Sequence, residues 1–143
     1  MDQETGEVFL KNLINAGDVG KALNPQHVEM QDDGSAVMGL GHSLMEQLIL
    51  DETGRVLNLG ALDYRILTTK DVPLQMRSIL IENGDGPGPY GAKGCGEGGI
   101  LAIASAVGAA VAAATGVVIR ELPLTPERIW RALTEKQKEA HST

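Results

Sequence analysis

A glycine-dense stretch, residues 88–99, carries the side chains best suited to chemistry: Glu97, Lys93 and Cys95. Glycine lets the backbone approach a ligand closely and adopts positive φ at little cost. The uncharged run that follows, residues 100–119, is typical of a buried helix. We therefore expect Glu97 at a loop-to-helix junction, where the positive end of the helix favours a carboxylate. An ionised acid held on a rigid loop is what a general base requires.

Two other interpretations of the glycine stretch stay open on local features alone. A tight turn with a capping glutamate has the same composition, since glycine loops are common. A Gly-x-Gly-x-x-Gly pattern beginning at Gly94 also matches the dinucleotide-binding fingerprint, with Glu121 at the spacing of a ribose-binding acid. Two features argue against a dinucleotide site. Residues 83–93 separate the pattern from the preceding predicted strand, and Glu97 would face the pyrophosphate.

The composition limits the classes of function. The 143 residues are enough for one domain, 1–143, with a sizeable core. A net charge of −7 argues against binding a phosphate backbone, so we expect no nucleic-acid partner. The single cysteine excludes an internal disulfide and suits a reducing compartment, so we predict a cytoplasmic location. The acidic, polar residues 1–4 give no sign of a secretory signal.

The apolar run at residues 98–119 is long enough to be tested as a membrane span. It is rich in alanine and lacks aromatic anchors at its two ends. We therefore predict a tightly packed helix over residues 98–115 and no membrane partner. That helix is uncharged on every face, so it needs cover all round. Because the other segments are few and low in aromatics, we predict that the chain alone exposes an apolar surface.

Periodicity and turn residues predict an α/β (α+β) fold, a mixed sheet with packed helices. Asn24-Pro25 predicts a helix start with Asn24 as the N-cap, and this helix should end near Leu50. A hairpin turn is predicted at residues 51–54. The predicted strands are 7–16 (as the second arm of a hairpin), 62–67, 76–82 and 117–122. The other predicted helices are 98–115 and 125–135, followed by a polar, mobile tail at 136–143.

Several ordered segments resemble the molybdenum hydroxylases, the family of xanthine dehydrogenase, aldehyde oxidoreductase and carbon monoxide dehydrogenase. The segment 91–97, Gly-Ala-Lys-Gly-Cys-Gly-Glu, is similar to the active-site loop of that family. Other segments match the family's pattern in order and at similar spacing: 18–25, Gln31 with 39–41, 63–66 and 120–127. The resemblance covers nearly the whole chain, and it is more specific than any single glycine motif. It implies the fold of the C-terminal molybdenum-cofactor-binding domain.

The resemblance implies a role for each site residue. Glu97 matches the family's base, which takes a proton from a hydroxyl on molybdenum. That oxygen attacks an electron-poor carbon of the substrate, and hydride passes to a sulfido ligand of the metal. Gln31 matches a glutamine that hydrogen-bonds the pterin. Gly94, Cys95 and Gly96 match loop positions close to the metal and the pterin, and no residue of this chain matches a metal ligand.

The resemblance also implies cofactors and partners. The cofactor is a molybdenum–pterin group, either molybdopterin or its cytosine dinucleotide, with iron–sulfur clusters and FAD on other domains or subunits. The family's molybdenum subunit is several times longer than this chain. The expected partners are therefore the rest of that subunit, the iron–sulfur and flavin partners, and a small-molecule substrate, an aldehyde or an N-heterocycle. Self-association into a homo-oligomer is a further expectation.

The sequence departs from the family's pattern at two places. Met30 stands where the family usually has glycine before the pterin glutamine. Gly98-Gly99 follow Glu97, where many members have prolines. We therefore predict a part of a molybdenum-dependent oxidoreductase that is active only with the rest of its subunit. A non-catalytic binding or assembly module is the alternative, and a dinucleotide-binding domain is third.

Overall fold

Two parallel strands and three α-helices form the regular structure of residues 1–141, the part of the chain that the computed structural model describes. The strands are β1 (Asn12–Asp18) and β2 (Gln75–Ile81), paired in register from Asn12 opposite Gln75 to Asp18 opposite Ile81. The helices are α1 (Pro25–Leu44), α2 (Ile103–Thr115) and α3 (Pro126–His141). This mixture of helix and strand confirms the predicted α/β (α+β) class.

Helix α1 begins where the sequence predicts. The side-chain Oδ1 of Asn24 accepts a hydrogen bond from the His27 backbone N–H at 3.1 Å, and Pro25 occupies the first turn. The predicted end near Leu50 is wrong. The Gly41 carbonyl accepts from both Met45 and Glu46, which closes the last turn, and the chain leaves the helix after Leu44.

The first strand differs from its prediction in extent. It spans Asn12–Asp18 rather than residues 7–16, and among residues 1–141 it pairs with β2. The two strands come together just before Asn12, where the Leu10 and Lys11 carbonyls accept from the backbone N–H groups at residues 74 and 75. A parallel pair needs a long crossover, which α1 and the segment after it provide. The strand predicted at 76–82 is confirmed as β2, shifted by one residue.

Two other predicted strands are wrong, whereas the hairpin turn is confirmed. Residues 60–64 form a turn in which Asp63 and Tyr64 both donate to the Gly60 carbonyl. Within residues 1–141, residues 117–122 pair with no strand. At the predicted hairpin, the Asp51 carboxylate accepts from the backbone of Thr53 and Arg55, and the arms share one antiparallel bridge.

The core lies where the three helices meet. Gly39 lets α1 and α2 approach closely, since a Cβ there would lie 2.7 Å from the Ile103 Cβ. Helix α3 continues to His141, beyond the predicted end at residue 135, and residues 142 and 143 of the predicted tail lie outside the described part. The buried core residues are Ala36, Leu40, Ile103, Val107, Val111, Leu124, Ile129 and Leu133.

Helix α2 is shorter and less covered than predicted. Residues 98–100 form a 3₁₀ turn, because two successive glycines disfavour an α-helix, and α2 starts at Ile103. By length and composition, the stretch Gly98–Thr115 could cross a membrane, and only 22% of it is buried in the described part of the chain. With Leu101 83% and Val118 67% exposed, the predicted apolar surface is confirmed.

Candidate functional site

The glycine loop is fixed to the segment that follows β1 by a short series of backbone hydrogen bonds. Val19 donates to the Ile81 carbonyl at 3.1 Å and accepts from the Lys93 N–H at 3.0 Å. Lys21 donates to the Gly91 carbonyl, also at 3.0 Å. These hydrogen bonds join the segment after β1 to the segment after β2. They place residues 91–95 beside the start of α1.

Gly91 is a position that only glycine suits. Its φ is +79°, and a Cβ there would collide with the Gly84 carbonyl. The Gly91 carbonyl accepts from both Gly86 and Lys21, so the loop folds back on itself before it reaches the site. The loop is thus held by backbone hydrogen bonds, both within itself and to Lys21.

Lys93 anchors the loop through two carboxylates. Its Nζ lies 2.7 Å from Asp18 Oδ2 and 2.6 Å from Asp85 Oδ1. Asp18 also accepts from Gly20 N–H and from Asn83 Nδ2. The hydrogen bond from Lys93, followed by that from Gly20, lowers the pKa of Asp18, and the two carboxylates raise the pKa of Lys93. Lys93 is therefore engaged in holding the loop.

A second ion pair holds the start of the crossover. Lys21 Nζ lies 2.8 Å from Glu82 Oε2, which also accepts from the Ala22 N–H at 3.0 Å. The hydrogen bond from Lys21, more than that from Ala22, lowers the pKa of Glu82. This pair joins the residue after β2 to the turn that leads into α1.

Gln31 and Cys95, which are far apart in sequence, line one groove of about 200 Å³ between α1 and the glycine loop. Gln31 is exposed, and among residues 1–141 its side-chain amide has no hydrogen-bond partner. Cys95 is half-buried and is the free thiol of the chain. The groove is lined by Val19, Lys21, Leu23, Asn24, His27, Val28, Gln31, Ala92, Lys93 and Cys95. The sequence prediction therefore named two residues that do lie together.

Glu97 lies on the exposed part of the same loop, flanked by the exposed Gly96 and Gly98, and Gly94 is exposed as well. It precedes the 3₁₀ turn, and its carbonyl accepts from the Ile100 N–H at 3.3 Å. Glu97 therefore lies at the predicted loop-to-helix junction, although the first turn of the helix, Gly98–Ile100, is 3₁₀ rather than α. Its side chain makes no capping hydrogen bond. The capping-glutamate interpretation thus loses its basis.

A buried polar contact beneath the loop was missed by the sequence analysis. Asp32, on α1, is 6% exposed, and its Oδ1 accepts from Asn15 Nδ2 at 2.8 Å. The same Asn15 amide donates to the Gly99 carbonyl at 3.3 Å. The available signal was spacing: Asp32 precedes the buried Ala36 and Leu40 by one and two helical turns.

The dinucleotide interpretation finds no matching architecture. Its fingerprint requires a strand that leads directly into the glycine loop and a second strand after the helix. Here β2 ends at Ile81, well before Gly94, and in the described part of the chain no strand follows α2. Glu121, the candidate ribose ligand, instead pairs with Arg128 at 2.8 Å.

Comparison with known proteins gives a consistent set of relatives. The model of the molybdopterin cofactor-binding domain family matches residues 1–73. A putative xanthine dehydrogenase molybdenum-binding subunit of Escherichia coli is 40% identical over 125 residues, which cover 87% of this chain and 16% of the relative. Quinoline 2-oxidoreductase from Pseudomonas putida has a similar structure, with 37% identity and a TM-score of 0.77, over 87% of this chain and 16% of that one.

A third relative extends the structural likeness along the chain. The aldehyde oxidoreductase of Desulfovibrio gigas has 25% identity and a TM-score of 0.83, and the match covers 93% of this chain. It covers only 14% of the aldehyde oxidoreductase chain. This chain therefore spans a small part of the length of each relative.

Proposed function

We propose that this chain forms one part of a molybdenum hydroxylase of the xanthine dehydrogenase and aldehyde oxidoreductase type. The proposal starts from its family, because the chain belongs to the molybdopterin cofactor-binding domains. The resemblance drawn from the sequence is thereby confirmed, and the predicted cofactor is the one after which the family is named. One observation carries the proposal. Gln31 and Cys95 line one groove, beside the loop that bears Glu97.

The groove suits one edge of a pterin. The free amide of Gln31 offers two donors and an acceptor, which match the alternating polar atoms of a pterin ring. Gly94 and Gly96, on either side of Cys95, let the backbone come close to a planar group. At about 200 Å³ the groove is smaller than a complete ligand site of ~300–1,000 Å³. We infer that other parts of the subunit supply the remaining walls.

Glu97 is the proposed general base. When bound, the molybdenum–pterin group accepts the two electrons of the oxidation. Glu97 would take the proton from the water-derived oxygen nucleophile that attacks an electron-poor carbon of an aldehyde or N-heterocycle. Its carboxylate is exposed and has no hydrogen-bond partner among residues 1–141, which leaves it available to a substrate. Iron–sulfur and flavin groups on partner subunits would receive the electrons. The proposed location of the complex is the cytoplasm.

A non-catalytic assembly module is the second candidate, favoured by the exposed apolar side chains of Leu101 and Val118 beyond the two ends of α2. The test is metal and cofactor analysis of the protein purified with the products of its neighbouring genes. Molybdenum with pterin, iron and flavin in fixed ratio is the expected result. Purification of the intact complex without molybdenum or pterin would overturn the enzyme proposal and favour the module.

A further inference from the structure

We propose that Asn15 and Asp32 position the loop that carries Glu97, an inference that rests on the proposed function of Glu97 as the base. Both are positioning residues, because they act on Glu97 through the backbone of Gly99. Neither belongs to the groove that contains Gln31.

A single side-chain amide joins three elements. Asn15 extends from β1, and its Nδ2 donates to Asp32 Oδ1 on α1 at 2.8 Å and to the Gly99 carbonyl at 3.3 Å. Because Asp32 is itself held in α1, which starts at a capped turn, the contact transmits the position of the helix to the loop. Glu97 lies two residues before Gly99, so movement of this point moves the base.

Gly99 fits this contact tightly. It is buried, and a Cβ there would lie 2.6 Å from both Asn15 Nδ2 and Asp32 Oδ1. The pair Gly98-Gly99 gives the backbone wide conformational freedom, so the loop needs a restraint from outside itself. The hydrogen bond from Asn15 supplies that restraint at Gly99, which is the buried residue nearest in sequence to Glu97.

The carboxylate of Asp32 supports a positioning role. Asp32 Oδ2 is buried without a hydrogen-bond partner among residues 1–141, which is unfavourable for stability. Its other oxygen accepts the hydrogen bond from Asn15 at 2.8 Å, which ties the side chain of α1 to that of β1.

The test is hydrogen exchange and steady-state kinetics on the assembled enzyme carrying Asn15→Ala. We expect the amides of Ile100 and Leu101, which donate to the Glu97 and Gly98 carbonyls, to exchange about tenfold faster, because the turn loses the restraint of the Asn15 hydrogen bonds. We expect kcat to fall about 10- to 100-fold through misplacement of the base, with KM and molybdenum content nearly unchanged. Asp32→Asn keeps the shape and an acceptor oxygen, so its exchange rate should lie between those of the wild type and Asn15→Ala.

Asp33→Ala is the matched control. Asp33 is the neighbouring carboxylate, is exposed and accepts from Ser78 Oγ at 2.8 Å, so its loss should leave exchange at Ile100 and Leu101 unchanged. Wild-type exchange in Asn15→Ala, or equal acceleration throughout the chain, would overturn the positioning role. If Asn15→Ala does not assemble, wild-type exchange in Asp32→Asn overturns it equally.

The two proposals fail in different ways. If Glu97→Gln abolishes turnover while Asn15→Ala leaves kcat and exchange normal, only the positioning role is wrong. If Glu97→Gln turns over normally, the base assignment is wrong and the positioning role falls with it, although faster exchange would still show the tether.

Discussion

Gln31 is the residue whose proposed role as a pterin ligand is most directly testable. It lies on the wall formed by α1, and its amide is free to bind a pterin edge. Leaving a buried pterin atom unpaired costs roughly 1–3 kcal/mol, so we predict that Gln31→Ala lowers molybdenum occupancy of the assembled enzyme. Activity per bound molybdenum should fall less. Gln26→Ala, also exposed on α1 but outside the groove, is the control, and equal metal content in both variants would contradict the assignment.

Lys93 makes the stability of the loop depend on pH. The pKa of Asp18 is lowered, so its contribution is present above its ordinary value of 3.8 and is lost as pH falls through the folded pKa. The pKa of Lys93 is raised above 10.5, so its contribution is present below 10.5 and is lost as pH rises through the folded pKa. We predict that Lys93→Met lowers the free energy of unfolding at pH 7 and less at pH 2.5. Urea unfolding at both pH values checks this, and an equal loss at both would refute it.

At the residue scale, the sequence correctly predicted which site residues lie close together. It was less successful in predicting the local structure and the hydrogen-bond partners around them. Gln31 and Cys95 were named together because the family resemblance placed both at the pterin, and they line one groove. The loop-to-helix junction at Glu97 was predicted, but the 3₁₀ form of its first turn was not, because it follows from the two successive glycines. Asp32 was missed because its partner, Asn15, is distant in sequence and only the folded chain brings the two together.

The contact between α1 and α2 is the main packing interaction beside the site. Gly39 lies under Ile103, with a would-be Cβ 2.7 Å from the Ile103 Cβ, which is too close for both atoms. We predict that Gly39→Ala destabilises the chain, since overpacking costs ~1–3 kcal/mol and exceeds the helix-propensity gain of ~1 kcal/mol. Thermal or urea unfolding measures the difference.

Gly34 provides the matched control in the same helix. A Cβ at Gly34 meets nothing within 4 Å, so Gly34→Ala should gain up to ~1 kcal/mol from helix propensity alone. Opposite signs for Gly34→Ala and Gly39→Ala are the expected pattern. Stabilisation by both substitutions would show that α1 and α2 are not in close contact.

At the element scale, local signals succeeded and non-local ones failed. The start of α1 depends on Asn24 and Pro25 alone, and the turn at 51–54 depends on Asp51 and Gly54, so both were predictable. The partner of β1 was not, because β2 lies far along the chain and pairs in parallel. The segments 62–67 and 117–122 have strand-like composition but no neighbouring strand among residues 1–141.

For the whole molecule, the uncovered side of α2 determines behaviour in solution. The side facing the core buries Ile103, Val107 and Val111, whereas the outer side presents small apolar residues such as Ala109 to solvent. We predict that the isolated chain self-associates, with a molar mass by light scattering well above its 15.1 kDa. The rest of the subunit should compete for the same surface.

A single charge on the outer side of α2 tests that surface. Ala109→Glu should shift the isolated chain toward the monomer, because burying an unpaired carboxylate in an apolar contact is costly. Gln137→Glu, on the exposed part of α3, adds the same charge elsewhere and should leave association unchanged. A wild-type chain that is monomeric and binds the molybdenum–pterin group tightly without a partner would contradict the prediction.

Turnover of the assembled enzyme carrying Glu97→Gln tests the central claim most directly. The substitution removes the proposed base and keeps nearly the same shape, so assembly and molybdenum content should stay at wild-type levels. Glu29→Gln makes the same chemical change on an exposed face of α1 and should have no effect. We predict that Glu97→Gln lowers kcat by at least ~10²-fold, the lower range for loss of a general base. Near-normal turnover of a fully molybdenum-loaded Glu97→Gln enzyme would contradict the account.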